Sequence, residues 1–144
     1  MTSLLQDGKN SPENRRSRWD DDMKRPGWRK KITAAMIEAG TYKPFFDLTI
    51  DTLAGILERR DETEVLYKKS GGMPIVKHTN KGGSTNLEQN PALRLINDLN
   101  RDALQYWRDM GLTPAGFKRL SEEAMTGAND QRSELDKVLS NLEM

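Results

Sequence analysis

At 144 residues, with 35% hydrophobic and 31% charged side chains, the chain has the size and composition of one globular domain with polar ends. The absence of cysteine excludes disulfides, iron–sulfur clusters and thiolate zinc sites, and a single histidine cannot build a His-rich metal site. No apolar run approaches the roughly 20 residues that cross a bilayer, and the opening MTSLLQDGKNSPENRRSR lacks the apolar stretch of a signal peptide. A soluble cytoplasmic protein with no membrane partner is therefore expected.

A chain of this size buries only about two thirds of its unfolded surface, so a domain with long polar ends gains from partner chains. Net charge is +1, but it is unevenly spread. Met1 to Lys31 holds nine Lys and Arg against five Asp and Glu, Ile32 to Gln89 seven against eight, and Asn90 to Met144 seven against nine. By this division the positive excess lies wholly at the N-terminus.

Residues 1–26 are polar and lack a sustained apolar period, which predicts a disordered basic tail with Trp19 and Met23 as its only apolar anchors. "NRRSRW" and "KRPGWRKK" place Arg15, Arg16, Arg18, Lys24, Arg25, Arg29, Lys30 and Lys31 beside two tryptophans. That composition offers phosphate contacts with stacking or cation–π capacity. Trp28, however, starts a helical stripe of Ile32, Ala35, Met36 and Ala39 that Gly40 stops, so its expected role is packing on the domain.

After a turn at Pro44, a long helix is predicted from about Asp47 to Lys69. Phe46, Ile50, Leu53 and Leu57 share one stripe, Asp47 and the pair Lys68–Lys69 suit the helix dipole, and Gly71 and Gly72 end it. Residues 71–89 break the period. Ile75 and Val76 favour extended structure and Asn80 to Thr85 is turn chemistry, so the segment is a small hairpin or extended arm, or else a mobile connection.

Asn90 can cap the next helix, with Pro91 at its first position, where a missing N–H does no harm. This helix carries two apolar stripes. One holds Leu93, Ile96, Ala103, Trp107 and Met110, and the other Ala92, Leu95, Leu99 and Tyr106, more than one neighbouring helix would cover. Gly111 ends it, Thr113 caps its successor, Pro114 opens that helix, and Phe117, Leu120 and Ala124 give its buried side: a helix-turn-helix in the loose sense. Gly127 and Asn129 are expected to break the chain again, leaving Leu135, Val138, Leu139 and Leu142 on a short amphipathic segment that needs something to dock on.

Catalytic signatures are poor. The pairs Gly71–Gly72 and Gly82–Gly83 lie in no phosphate-loop motif, His78 has no accompanying nucleophile, and the acidic runs Asp20–Asp22 and Asp61, Glu62, Glu64 lack calcium-loop spacing and read as solvated helix ends. The expectation is a non-enzymatic protein with no cofactor and no metal.

The order of parts resembles the bacteriophage terminase small subunits, in the short family of tailed phages and prophages. The resemblance rests on a Trp-led first helix ending in glycine, a long charged helix, a glycine-bounded arm, an N-P helix start, and "GLTPAGFKRL". In that family an N-P helix followed by G-L-T-P and small and basic residues closes the domain, matching Asn90, Pro91, Gly111, Leu112, Thr113, Pro114, Lys118, Arg119 and Leu120. The similarity covers roughly Trp28 to Ala124.

It implies a ring-forming homo-oligomer that recognises double-stranded viral DNA in the host cytoplasm and recruits the terminase large subunit, the ATPase and nuclease. A mainly α fold follows: residues 1–26 as tail, 27–126 as helical oligomerisation domain with the arm at 71–89, and 127–144 as C-terminal amphipathic segment. Leu95, Leu99 and Tyr106 would meet a neighbouring copy. DNA contact would come from the basic tail or from Lys118 and Arg119, and Leu135, Val138, Leu139 and Leu142 would meet the large subunit. Many members open with a well-formed DNA-binding helix-turn-helix, which this N-terminus lacks. Two other readings stay open: a transcriptional regulator using Thr113 to Ala124 as recognition helix, and a protein-binding adaptor or inhibitor. A compact four-helix monomer that buries both stripes internally is the structural alternative to a ring.

Overall fold

The computed structural model describes residues 21–142. In chain order these form helix α1 (Arg25–Glu38), a short 3-10 turn (Pro44–Phe46), α2 (Asp47–Lys69), strands β1 (Ile75–Thr79) and β2 (Thr85–Gln89), α3 (Pro91–Asp109) and α4 (Pro114–Leu142). The fold is mainly helical with one small antiparallel hairpin between long helices, as the sequence pattern predicts.

The core is the seam where α2 meets α1 on one side and α3 on the other. Ile32 and Met36 of α1, Ile50, Leu53, Ala54 and Leu57 of α2, and Leu99 and Ala103 of α3 with Met110 at its C-terminal cap are buried together. Trp28, Phe46, Tyr106 and Trp107 pack around them. Each fully buried Leu or Ile contributes roughly 1.5–3 kcal/mol, and the most deeply buried of them sit on α1 and α2. Both stripes of α3 supply core residues, because its apolar arc is broad enough for Leu99 to join Ala103 and Met110 in the same cluster.

α1 begins at Arg25, inside the stretch read as tail. Pro26 in its first turn lacks only an N–H that would be orphaned there, and Glu58 of α2 accepts the Arg25 backbone N–H at 3.1 Å, standing in for the side-chain cap that Lys24 does not provide. Below that point Asp61 lies inside α2 and is buried, so it is not a solvated helix end. Its carboxylate accepts the Trp28 indole N–H at 2.7 Å and the Arg60 guanidinium at 2.6 Å. Arg60 and Lys31 also lie 5.3 and 4.8 Å from the Trp28 ring centre. Trp28 is thereby a packing residue, as its stripe suggests.

The α1–α2 connection is tied at both ends. Thr41 and Tyr42 donate backbone N–H groups to the Met36 carbonyl, and the Tyr42 hydroxyl donates to Asp47 Oδ1 at 3.1 Å. That hydrogen bond to a carboxylate, with some burial, holds the Tyr42 phenol above its ordinary pKa.

Asn90 caps α3 by accepting the Ala92 N–H at 3.0 Å. Thr113 caps α4 through the Gly116 N–H at 3.1 Å. Gly111 sits between the two helices with φ +73°, the left-handed conformation that lets α3 end and the chain turn at once. Gly116 is needed for a different reason: a Cβ there would stand 2.2 Å from the Arg108 carbonyl oxygen, so the two helices cross at near backbone contact.

The expected break at Gly127 and Asn129 is absent, and α4 continues through both for 29 residues. A single glycine costs a helix about 1 kcal/mol against alanine, too little to end it without the left-handed turn and following change of direction seen at Gly111. Gly116 is the only buried residue of α4, and every described residue after Ser121 is exposed.

Replacing Asp61 by Ala strands the Trp28 indole N–H and the inner side of Arg60. We expect this to lower the unfolding free energy by about 1–3 kcal/mol in urea titrations, against less than about 1 kcal/mol for Glu62→Ala, whose pair with Lys24 is half exposed. Equal effects of the two substitutions would contradict the buried role of Asp61.

Candidate functional site

The residues expected to contact DNA fall into three groups. Arg15, Arg16 and Arg18 lie outside the described residues, as does Trp19. Met23 is half-buried and, with Lys24, Asp61, Glu62 and Val65, lines a small cleft of about 80 Å³ on α2.

The second group, the basic residues around the start of α1, largely faces carboxylates of α2. Lys24 Nζ lies 2.8 Å from Glu62 Oε1. Arg25 grips Asp51 with both its Nε, at 3.1 Å, and its Nη2. Arg29 reaches the same carboxylate at 3.5 Å. Lys31 donates to the Asp22 carbonyl at 3.1 Å, and Lys30 is exposed with no ion pair among the described residues. Among the described residues, three of the five cations around the start of α1 are therefore matched by carboxylates of α2, which a count of charges along the sequence does not reveal.

The third group sits at the start of α4. Lys118 lies 3.8 Å from Glu122, and Arg119 lies 3.9 Å from Glu123 and 4.0 Å from Asp109. All are surface pairs with half or more of each side chain exposed, so they hold these cations weakly and leave them able to exchange a carboxylate for a phosphate.

The three residues expected between copies do not share one environment. Leu95 is 48% exposed on α3, Tyr106 is half-buried against the core, and Leu99 is buried at 8% in the chain's own core. Leu99 is occupied by α2 because α3 turns part of its second stripe inward, so in this chain Leu95 is the member left at the surface. Leu104, on another side of α3, is also half exposed, a residue that lies on neither apolar stripe.

The residues expected to meet a larger partner are on one side of the projecting end of α4. Leu135 is 61%, Val138 56%, Leu139 58% and Leu142 76% exposed. An apolar opening of about 460 Å³ lies where the ends of α1 and α3 meet the start of α4, lined by Met36, Phe45, Phe46, Met110 and Leu120, with Lys43 and Asp109 at its rim.

The hairpin is a candidate site that sequence reasoning missed. Its strands pair Ile75 with Gln89, Val76 with Glu88, Lys77 with Leu87, His78 with Asn86 and Thr79 with Thr85, and all ten residues but Val76 are exposed. The signal is present in the sequence: between Glu64 and Glu88 there is no carboxylate, while Lys68, Lys69, Lys77 and Lys81 all fall there.

Among the described residues, no helix is long and apolar enough to cross a membrane. Comparison with known proteins finds no matching curated protein and no matching solved structure. Residues 27–126, the span from the first turn of α1 through the first half of α4, match the family of the phage terminase small subunit, and the chain belongs to that family.

Proposed function

We propose that this chain is the ring-forming, DNA-recognising component of a viral DNA-packaging motor, acting in the host cytoplasm without enzymatic activity or cofactor of its own. In this reading it binds double-stranded viral DNA and recruits and regulates the large subunit that carries the ATPase and nuclease. Family membership supports the packaging role. The observation that carries the assembly part is α4: a 29-residue helix with one buried residue, whose apolar side chains near the C-terminus are left to water by its own chain. A helix this exposed gains its stability from a partner.

The roles divide along the chain. Leu95, together with Tyr106 and the helix that Leu99 holds in place, faces a neighbouring copy. Leu135, Val138, Leu139 and Leu142 offer a partner an apolar stripe at spacing three, one and three, the form an amphipathic helix presents to a hydrophobic groove. Residues 127–144 then act as the large-subunit contact, residues 27–126 together with the Arg25–Pro26 start of α1 as the oligomerising core, and the residues before Arg25 as a basic tail.

DNA contact falls to Arg15, Arg16 and Arg18, to Lys30 and Lys31, and to Lys118 and Arg119, with Lys24, Arg25 and Arg29 contributing after exchange of their α2 partners. No single segment is strongly basic, so the mechanism is avidity: weak basic segments repeated around one ring engage one duplex, and effective concentration turns modest per-chain affinity into useful binding.

Light scattering of the full chain at moderate salt should give the mass of a closed oligomer of many subunits. A monomer or simple dimer would contradict the ring and favour a two-fold regulator. Arg15→Ala, Arg16→Ala and Arg18→Ala combined should weaken duplex binding and lower the slope of log affinity against log salt by about 0.9 for each phosphate that the tail no longer neutralises. An unchanged slope would remove the tail from the interface.

A further inference from the structure

We propose that the β1–β2 hairpin is a DNA-contacting ribbon, a site separate from the tail and from α4, and that it engages the phosphate backbone of duplex DNA through Lys77 and Lys81. The proposal deepens the DNA-binding reading and rests on it.

Charge is the first argument. The 23 positions from Val65 to Leu87 hold four lysines and the chain's only histidine, with no aspartate or glutamate among them. Elsewhere in the described chain Lys24, Arg25 and Arg29 at the start of α1 meet carboxylates of α2, though Lys30 does not, and Lys118 and Arg119 at the start of α4 meet Glu122, Glu123 and Asp109. On the hairpin, Lys77 stands opposite Leu87, and Lys81 lies at the tip. Glu88, the one carboxylate of the ribbon, is opposite Val76, and strand alternation places it on the other face from Lys77. Neither lysine has an ion-pair partner among the described residues, so both are available to a polyanion.

Mounting is the second argument. The hairpin is fastened at its base and free beyond it. Asn90 donates its backbone N–H to the Pro74 carbonyl at 2.8 Å and its side-chain amide to the Met73 carbonyl at 3.0 Å, while its Oδ1 caps α3. The Tyr67 hydroxyl donates to the Gly72 carbonyl at 2.6 Å. At the far end the Asn80 side chain accepts from Gly82 and Ser84, and Thr79 and Thr85 share a hydrogen bond of 3.0 Å. A segment held this way is a shaped element. Yet almost all of it is exposed, and an isolated two-stranded hairpin in water is marginally stable, so it gains from a partner that covers it.

Shape is the third. Five residues per strand at about 3.3 Å each give a ribbon roughly 16 Å long with strands about 4.8 Å apart. The major groove of B-form DNA, about 12 Å wide and 8.5 Å deep, admits a two-stranded ribbon of these dimensions. Asn80, Ser84, Thr85 and Asn86 bring neutral donors and acceptors to the same end as Lys81, the polar chemistry that phosphate and base edges accept.

The test uses the full chain and a fluorescent duplex, with anisotropy read between about 50 and 200 mM salt, beside light scattering and circular dichroism. Lys77→Ala with Lys81→Ala should weaken binding roughly tenfold at the upper salt and lower the salt slope by about 2 per engaged chain, with helicity and oligomer mass unchanged. The charge reversal Lys77→Glu with Lys81→Glu should weaken it further. Unchanged affinity and slope in both variants, while the unaltered chain binds, overturns the ribbon site and leaves the DNA-binding reading intact. A variant that loses oligomer mass along with affinity also overturns it, because the hairpin is then a contact between copies. No salt-dependent binding by the unaltered chain overturns the DNA-binding reading and this site together.

Discussion

The pairing of α1 with α2 is the interaction on which the rest of this structure depends. α2 is the one helix that packs against both α1 and α3, and it offers α1 an apolar strip of Ile50, Leu53 and Leu57 flanked by the carboxylates Asp51, Glu58, Asp61 and Glu62. Apolar burial supplies the energy, since Ile32 and Met36 are almost wholly removed from water. The carboxylates supply register. A rotation of α1 by one residue would take Trp28 from Asp61 and Arg25 from Asp51 together, leaving a buried carboxylate with only Arg60 beside it. The exposed pairs add little stability one by one, but together with the buried one they admit a single alignment.

That alignment has a functional consequence. Cations that hold α1 in place serve a ligand only by giving up their carboxylates, so Lys24, Arg25 and Arg29, which the sequence offers as free positive charge, are committed to the fold. Arg25, with two nitrogens on Asp51, is committed furthest, and Lys30 least. The hairpin is the reverse case. Its lysines are fewer, but they face no acid, and the net charge of its surroundings is the charge a phosphate would meet.

Much of the fold is legible in the sequence because its punctuation is local. Pro44 before α2, Gly71 and Gly72 after it, Asn90–Pro91 opening α3, and Gly111 with Thr113–Pro114 between α3 and α4 each act within a turn of the residue itself, and each stands where its chemistry places it. What depends on distant residues is less legible. Glu58 caps α1 from 33 positions away, so near Arg25 only Pro26 announces a helix start, and the group that caps it cannot be read from its neighbours. Asp61 sits in a charged run and reads as solvated until Trp28 arrives from α1 to use it. Leu99 lies on the stripe that periodicity assigns to a neighbour, and only the placement of α2 shows that it is already covered.

Gly127 separates two meanings of glycine. At Gly111 the chain needs a left-handed residue, because Leu112 N–H must reach back to the Trp107 carbonyl while the backbone turns toward α4. At Gly127 no such return bond is required, and the residue stays in the helix at modest cost. The continuous helix carries Leu135 to Leu142 roughly twenty residues or more beyond the crossing at Gly116, at about 1.5 Å per residue, which is some 30–40 Å from the core. A flexible break would have let that stripe fold back on the chain's own apolar opening beside Met110. The unbroken helix holds it away, so in this conformation its apolar side chains are covered by another molecule or by none.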